Sequence, residues 1–198
     1  MISESDLRNA ERKNYLFYFE DGILDIIAGL PVLSFGLGMV FDATLLFIFT
    51  WLPIILYWPV KQAITLPRMG YVKFSPERQR RISKNMVLLL FAGSLFLLLG
   101  IFVTLGFEGQ LFNLRDFMMK YSLLILGAIM ASAFLLISIL FELKRFSGYG
   151  ALVFAAWLTP FLFPIREGIP VALIGALISL IGVGFLVRFF INTTPPLE

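Results

Sequence analysis

The sequence predicts an all-α fold, a polytopic transmembrane helix bundle of six spans with both chain ends in the cytoplasm (N-in/C-in). The 198-residue chain is 59% hydrophobic and only 15% charged, whereas soluble domains are about a quarter charged. The charges cluster between long apolar blocks, which is the pattern of membrane helices. Most blocks approach the roughly 20 residues that a helix needs to cross the hydrocarbon core.

We expect one membrane domain over residues 1–198, with the bundle in residues 23–191. Strands of alternating polarity, as in an outer-membrane barrel, are absent from the sequence. The predicted spans are Ile23–Phe41, Ala43–Val60, Asn85–Phe107, Tyr121–Phe141, Gly150–Ile165 and Pro170–Ile191. The fifth is the shortest of the six.

Residues 1–20 precede the first span and predict an amphipathic cytoplasmic or interfacial helix. Ser3 and Asp6 are spaced as a capping box, and the aromatic run from Tyr15 to Phe19 suits the headgroup level of a bilayer. A helix that docks a partner protein is the alternative that the sequence leaves open.

The longest polar stretch, residues 61–84, is a predicted basic cytoplasmic loop. It is too short for an independent soluble domain, which needs about 40 residues or more. Ser75 and Pro76 form a helix start, so the third helix begins before the membrane. At its foot lies a basic collar that marks the cytoplasmic side and would attract anionic lipid headgroups. The collar consists of Arg78, Arg80, Arg81 and Lys84.

The basic residues set the orientation, because Lys and Arg concentrate on the cytoplasmic side. With both chain ends inside, only Arg115, Lys120 and Arg166 of the 16 Lys and Arg residues fall outside, and 13 fall inside. Five spans would place the C-terminus outside, so this distribution favours six. Because these residues are accounted for by topology, we expect no nucleic acid partner.

Two segments carry a resemblance to known proteins. The start of the first span, "EDGILDIIAGL", has the pattern E-D-G-x-x-D, and the loop "LPRMGYVKF" has the pattern P-R-x-G-Y-V. Together they resemble a family of uncharacterised prokaryotic multi-pass membrane proteins. The resemblance covers the first two spans and the loop after them. It implies the inner membrane of a prokaryotic cell and no activity.

The chain has no Cys and no His. Thiol nucleophiles, Cys/His zinc sites and His-ligated haem are thereby excluded, and we expect no metal ion and no cofactor. We also expect no enzyme activity. An intramembrane enzyme is not excluded, but its serines would need a neighbouring base, and no Lys lies within the predicted spans.

Asp25 is the one acid inside an apolar block and away from its ends. A carboxylate at the membrane centre costs about 2.5–3.5 kcal/mol, so Asp25 should face the bundle and pair with a cation. Arg188 is the expected partner, because it too is embedded in its block, and Lys61, Arg68 and Lys144 are other candidates. A structural ion pair, an ion or proton site, and an acid facing cytoplasmic water all stay open.

Glycines recur every seven residues in three of the blocks. Seven residues are close to two helical turns, so each set lines one stripe, and small residues let helix backbones approach closely. We predict helix packing at Gly22, Gly29, Gly36, Gly93, Gly100, Gly168, Gly175 and Gly182. A gating seam or a homodimer face is the alternative.

Prolines interrupt the second and fifth spans, which read "WLPIILYWP" and "WLTPFLFP". A proline frees a backbone carbonyl, and paired interrupted helices in two halves point to a transporter site. The candidate solute or ion site therefore comprises Asp25, Thr50, Pro53, Thr159 and Pro160. The same pairing suggests a 3+3 inverted repeat, for which ordinary proline kinks are the alternative explanation.

Two functions from different classes stay open. The first is a small transporter or channel subunit that moves an ion or small solute, which the proline breaks, the glycine stripes and the embedded Asp25 favour. The second is a non-catalytic membrane scaffold or accessory subunit that docks a partner or anionic lipid. In either case we expect contact with the lipid bilayer and a homo-oligomer.

Overall fold

The computed structural model of the chain describes residues 18–50, 52–69, 80, 84, 87 and 112–193. Within these ranges the regular structure is helical, without a strand. The helices are α1 (Ile23–Phe41), α2 (Thr44–Phe49), α3 (Leu52–Met69), α4 (Phe112–Phe141), α5 (Lys144–Leu162) and α6 (Gly168–Asn192). The chain divides into two compact units, one made of Met1–Phe74 with Thr159–Glu198 and the other of Ser75–Leu158.

Three helices in the described ranges are long and apolar enough to cross a membrane. They are Ile23–Phe41, Leu123–Phe141 within α4, and Gly168–Asn192, which match the first, fourth and sixth predicted spans. The third predicted span, Asn85–Phe107, lies outside the described residues except for Val87. Within the described ranges, an all-helical fold with membrane-capable helices is therefore confirmed, whereas six spans and the inverted repeat stay predictions.

α1 has the bounds that the apolar run predicts, and a left-handed residue closes it. Asp42 has φ 50°, and the N–H of Ala43 donates a hydrogen bond to the carbonyl of Gly38 at 3.1 Å. α4 closes in the same way through Glu142, which has φ 59°. Such a turn satisfies the last free carbonyls of a helix and lets the next helix follow at once.

The second predicted span, Ala43–Val60, is divided between α2 and α3. Pro53 lies in the first turn of α3, where a missing N–H costs no helical hydrogen bond. α3 then continues through Lys61 to Met69, so the predicted loop 61–84 begins with residues that are helical. The reason is tertiary, because side chains of this extension are buried against the segment that precedes α1.

The fifth and sixth predicted spans also shift at their ends. α5 begins earlier than the predicted Gly150–Ile165 and ends at Leu162. Pro164 explains the early end, since the residue before a proline is disfavoured in the helical conformation. α6 extends the predicted Pro170–Ile191 at both ends. Pro170 lies in its first turn and leaves the helix intact.

Within the Ser75–Leu158 unit, α4 and α5 form an antiparallel hairpin. A Cβ built on Gly127 would overlap the side chain of Trp157, so the two helices are in close contact there. Nearer the turn, the ring of Phe134 stacks on Phe146 at 6.1 Å and meets Tyr149 edge-on at 6.5 Å. Aromatic pairs at such distances add stability beyond their buried area.

α1 and α6 pack antiparallel with their backbones in contact. A Cβ built on Gly29 would lie 2.6 Å from the backbone nitrogen of Ser179, and one on Gly182 would lie 2.6 Å from that of Ile26. Three glycine pairs meet along the contact: Gly22 with Gly182, Gly29 with Gly175, and Gly36 with Gly168. Along this contact, each step of seven residues forward on α1 is therefore matched by a step of seven residues backward on α6.

Six of the eight glycines at which we predict helix packing lie in this contact, where the glycine stripe of α1 faces that of α6. Gly93 and Gly100 lie outside the described residues. Gly22 has a second constraint, because its φ is 73°, a conformation that residues with a Cβ rarely adopt. Glycine is thus required there both by the approach of α6 and by the turn into α1.

Candidate functional site

A buried group of polar side chains lies where the segment before α1 meets α3. Asp21 and Thr65 are 0% exposed and Lys61 is 1% exposed. Lys61 and Thr65 are four residues apart on α3 and so share one face of that helix. We call these three residues, together with Tyr18, the Asp21–Lys61 cluster.

The carboxylate of Asp21 is held by donors on both oxygens. The backbone N–H of Ile23 donates to Oδ1 at 3.2 Å, and the hydroxyl of Thr65 donates to Oδ2 at 2.6 Å. The amine of Lys61 lies 3.3 Å from the same Oδ2. The group also lies at the start of α1, where the helix dipole favours a negative charge. Its position is therefore fixed by two elements of the fold.

The amine of Lys61 is surrounded by aromatic rings as well as by oxygens. Its Nζ donates to the carbonyl of Tyr18 at 3.0 Å. It lies 3.8 Å from the ring centroid of Tyr18, 4.5 Å from that of Phe19 and 5.5 Å from that of Tyr57. Cations within about 6 Å of a ring face are attracted by it. The buried charge is thus compensated by a carboxylate, a carbonyl and rings.

The same surroundings affect the pKa of the Tyr18 phenol. Burial, followed by the negative charge of Asp21, raises the pKa of the Tyr18 phenol above its ordinary value of 10.0. Both causes disfavour the phenolate. The ring therefore faces the amine of Lys61 as a neutral phenol throughout the physiological pH range.

Asp25, in the first turn of α1, is also 0% exposed. Its expected partner, Arg188, is exposed on α6, and the ion pairs of the described residues include Lys61 with Asp21 and Arg166 with Asp42. The exposure of Arg188 gives the Asp25–Arg188 pair no support, and that pair stays a prediction. Lys61, which the sequence offers as another partner for Asp25, binds Asp21.

Arg68 links α3 to the end of α6. Its guanidinium donates to the carbonyl of Thr193 at 3.0 Å and lies 4.2 Å from the ring centroid of Phe190. A cation suits this place, because the last carbonyls of a helix carry partial negative charge. α3 therefore contacts both the start of α1 and the end of α6, on the side where the Asp21–Lys61 cluster lies.

At the other end of α1, Asp42 pairs with Arg166, which precedes α6, at 3.1 Å. The two side chains are 86% and 57% exposed, so water weakens their attraction. The ion pairs at the two ends of α1 thus differ sharply in burial.

In each of the second and fifth predicted spans, the structure describes the proline and the threonine of the predicted solute site. Pro53 is buried in α3, and Thr50 donates to the carbonyl of Leu46 at 3.4 Å. Pro160 is half-buried in α5, and the carbonyl of Thr159 accepts the N–H of Phe163 at 3.0 Å. A solute site at these residues stays a prediction.

The lipid-headgroup site is described only in part. Arg80 and Lys84 are helical and exposed, as a headgroup contact requires, whereas Arg78 and Arg81 lie outside the described residues. Their role toward anionic lipid stays a prediction.

The sequence alone did not predict that Lys61 and Thr65 lie on a buried face of a helix. Hydropathy ends the second span at Val60 and leaves Lys61 in a loop, although a helical spacing of four continues through Tyr57, Lys61 and Thr65. That spacing is the signal that could have placed Lys61 and Thr65 on one buried face.

Comparison of the chain with family models, with curated proteins and with solved structures finds no match.

Proposed function

We propose that the chain is an integral membrane protein that moves a small monovalent cation, in the inner membrane that the sequence resemblance implies. Its ion site would be the Asp21–Lys61 cluster together with Asp25. The observation that carries the proposal is the complete burial of Asp21 and Asp25, at the start of the membrane-capable helix α1, and of the Lys61 amine beside Asp21. Ionisable groups buried within or beside membrane-spanning helices are costly and commonly mark ion pathways.

The composition of the site favours a cation. It contains two acids and one base, all of them buried. The amine of Lys61 already occupies a position beside the Asp21 carboxylate, so an incoming cation would compete with it. A site that exchanges a tethered amine for a free cation has two states, and a transport cycle needs two states.

The route of the ion is constrained by the glycine contact. α1 and α6 touch through their backbones from Gly22 to Gly36, so water cannot pass between them. We place the path on the side of α1 that faces α3, because Lys61 and Thr65 contact Asp21 from that side. Thr65 lies on that side and donates to Asp21.

Ion flux into proteoliposomes tests the proposal. Purified protein is reconstituted, and currents or uptake are measured for H⁺, Na⁺, K⁺ and ammonium. We expect flux of at least one of these ions, and Asp21→Asn and Asp25→Asn should each lower its rate by about tenfold or more, the equivalent of about 1.4 kcal/mol. Asp42→Asn is the matched control, because this acid is 86% exposed at the far end of α1.

Two results would contradict transport. One is the absence of flux for every ion tested. The other is a flux that Asp25→Asn and Asp42→Asn leave equally unchanged, since the buried acid would then have no part in it.

A membrane scaffold or accessory subunit is the second candidate function. The direct backbone contact between α1 and α6 favours it, because such a contact makes a rigid pair of helices. Co-purification of a stoichiometric partner from native membranes, together with silent liposomes, would support this second function over the first.

A further inference from the structure

We propose that the cage around the Nζ atom of Lys61 is a binding site for a small primary ammonium ion, which Lys61 occupies with its own amine. The cage consists of the Asp21 carboxylate, the Tyr18 carbonyl and the rings of Tyr18, Phe19 and Tyr57. This inference rests on the proposed function and names the class of cation that the site takes.

The contacts of the cage match a primary ammonium group. Such a group has three N–H donors and no acceptor. The Tyr18 carbonyl at 3.0 Å and the Asp21 carboxylate at 3.3 Å accept from it. The rings of Tyr18 and Phe19, at 3.8 and 4.5 Å, face the same atom. Directional acceptors and ring faces are thus combined around one nitrogen.

The same contacts fit divalent metal ions poorly. Ca²⁺ takes about six to eight oxygen ligands, and Mg²⁺ requires a near-ideal octahedron of them. Ring faces supply no oxygen ligand, and they occupy positions where such ions would need one. An ammonium ion is recognised by ring faces through its charge, so the aromatic side of the cage selects for it.

The acceptors would stay in place without Lys61. Asp21 Oδ1 is held by the N–H of Ile23, and Oδ2 is held by the hydroxyl of Thr65. Neither donor belongs to Lys61. Lys61→Ala would therefore leave a prepared carboxylate and rings, with space for the three methylene groups and the amine that the substitution removes.

Rescue of that variant by a free amine tests the site. Lys61→Ala is purified in lipid nanodiscs, and its thermal unfolding is measured against concentration of n-propylammonium chloride or sodium chloride. We expect propylammonium to stabilise the variant at about a tenfold lower concentration than sodium, which corresponds to about 1.4 kcal/mol of preference. Equal effects of the two salts would overturn the proposal.

The double variant Asp21→Asn with Lys61→Ala is the matched control. It keeps the rings and the space but lacks the carboxylate, so the preference for propylammonium should disappear. A preference that persists in the double variant would show that the amine binds elsewhere and would also overturn the proposal.

A second measurement uses the unaltered protein and decides the matter if Lys61→Ala does not fold. Proteoliposomes of the natural chain should take up labelled methylammonium. Liposomes that carry Na⁺ or K⁺ but not methylammonium would refute the ammonium site and leave cation transport standing. Selective rescue of Lys61→Ala without flux of any cation would support the site and refute transport.

Discussion

A methyl group added at Gly175 should force α1 and α6 apart, whereas the same group at Gly184 should not. A Cβ built on Gly175 lies 2.6 Å from Leu33 Cα and 2.8 Å from the carbonyl carbon of Val32. Gly184 is on the same helix, and nothing lies within 4 Å of its Cβ position. Gly175→Ala and Gly184→Ala thus make the same change on α6 and differ in their neighbours.

The magnitude follows from the displacement that the new methyl group requires. Ordinary contact begins near 3.4 Å, so the 2.6 Å contact with Leu33 Cα must open by about 0.8 Å, and the backbone nitrogen of Leu33 is nearer still. A gap of that size forfeits roughly a quarter to a half of each neighbouring dispersion contact. Overpacking of this kind costs about 1–3 kcal/mol, against about 0.5–1 kcal/mol that alanine gains within a helix. We expect a net loss of roughly 1–2 kcal/mol for Gly175→Ala and a gain of up to about 1 kcal/mol for Gly184→Ala.

Unfolding by denaturing detergent in mixed micelles, followed by circular dichroism, gives the free energy of unfolding for each variant. The natural protein is measured in parallel. If Gly175→Ala is as stable as Gly184→Ala, the backbones of α1 and α6 are not in contact. The reasoning about the glycine pairs would then be refuted.

Three further predictions concern the polar contacts at the two ends of α1. Thr65→Val should lower the free energy of unfolding by about 1.5–3 kcal/mol, because it removes a buried hydrogen bond to the Asp21 carboxylate; an unchanged detergent midpoint would contradict that contact. Because the folded-state pKa of Tyr18 is raised, its contribution to stability is complete below pH 10.0 and is lost as the pH rises through that pKa. The melting temperature of the natural protein should therefore fall more steeply above pH 10 than that of Tyr18→Phe, and parallel curves would disprove this. Asp42→Asn should change stability by less than about 0.5 kcal/mol, since its pair with Arg166 is exposed, and a larger loss in the same titration would show that this pair is stronger than its exposure allows.

The length of the apolar run correctly predicts the bounds of α1. Ile23 to Phe41 is uninterrupted except by Asp25, and the helix has the predicted bounds. The seven-residue spacing of glycines also identifies the face of α1 and of α6 that lies in the contact. These features are predictable because each depends on residues close together in the chain.

The partner of each charge was not predictable in the same way. The pairing of Lys61 with Asp21 depends on where α3 passes the start of α1, which no local spacing determines. Hydropathy also ends the second span at Val60, because a lysine lowers the average whether or not a distant carboxylate compensates its charge. The burial of Lys61 and the extension of α3 to Met69 therefore appear only in three dimensions.

The antiparallel packing of α1 and α6 also determines whether the number of membrane crossings is even or odd. If both helices cross the bilayer, α6 finishes on the side from which α1 departs, so the crossings from α1 to α6 must be even in number. The membrane-capable helices in the described ranges number three, which is odd. If all three cross the bilayer, at least one other segment must traverse it as well, and arrangements with three or five traverses from α1 to α6 are incompatible with the glycine contact.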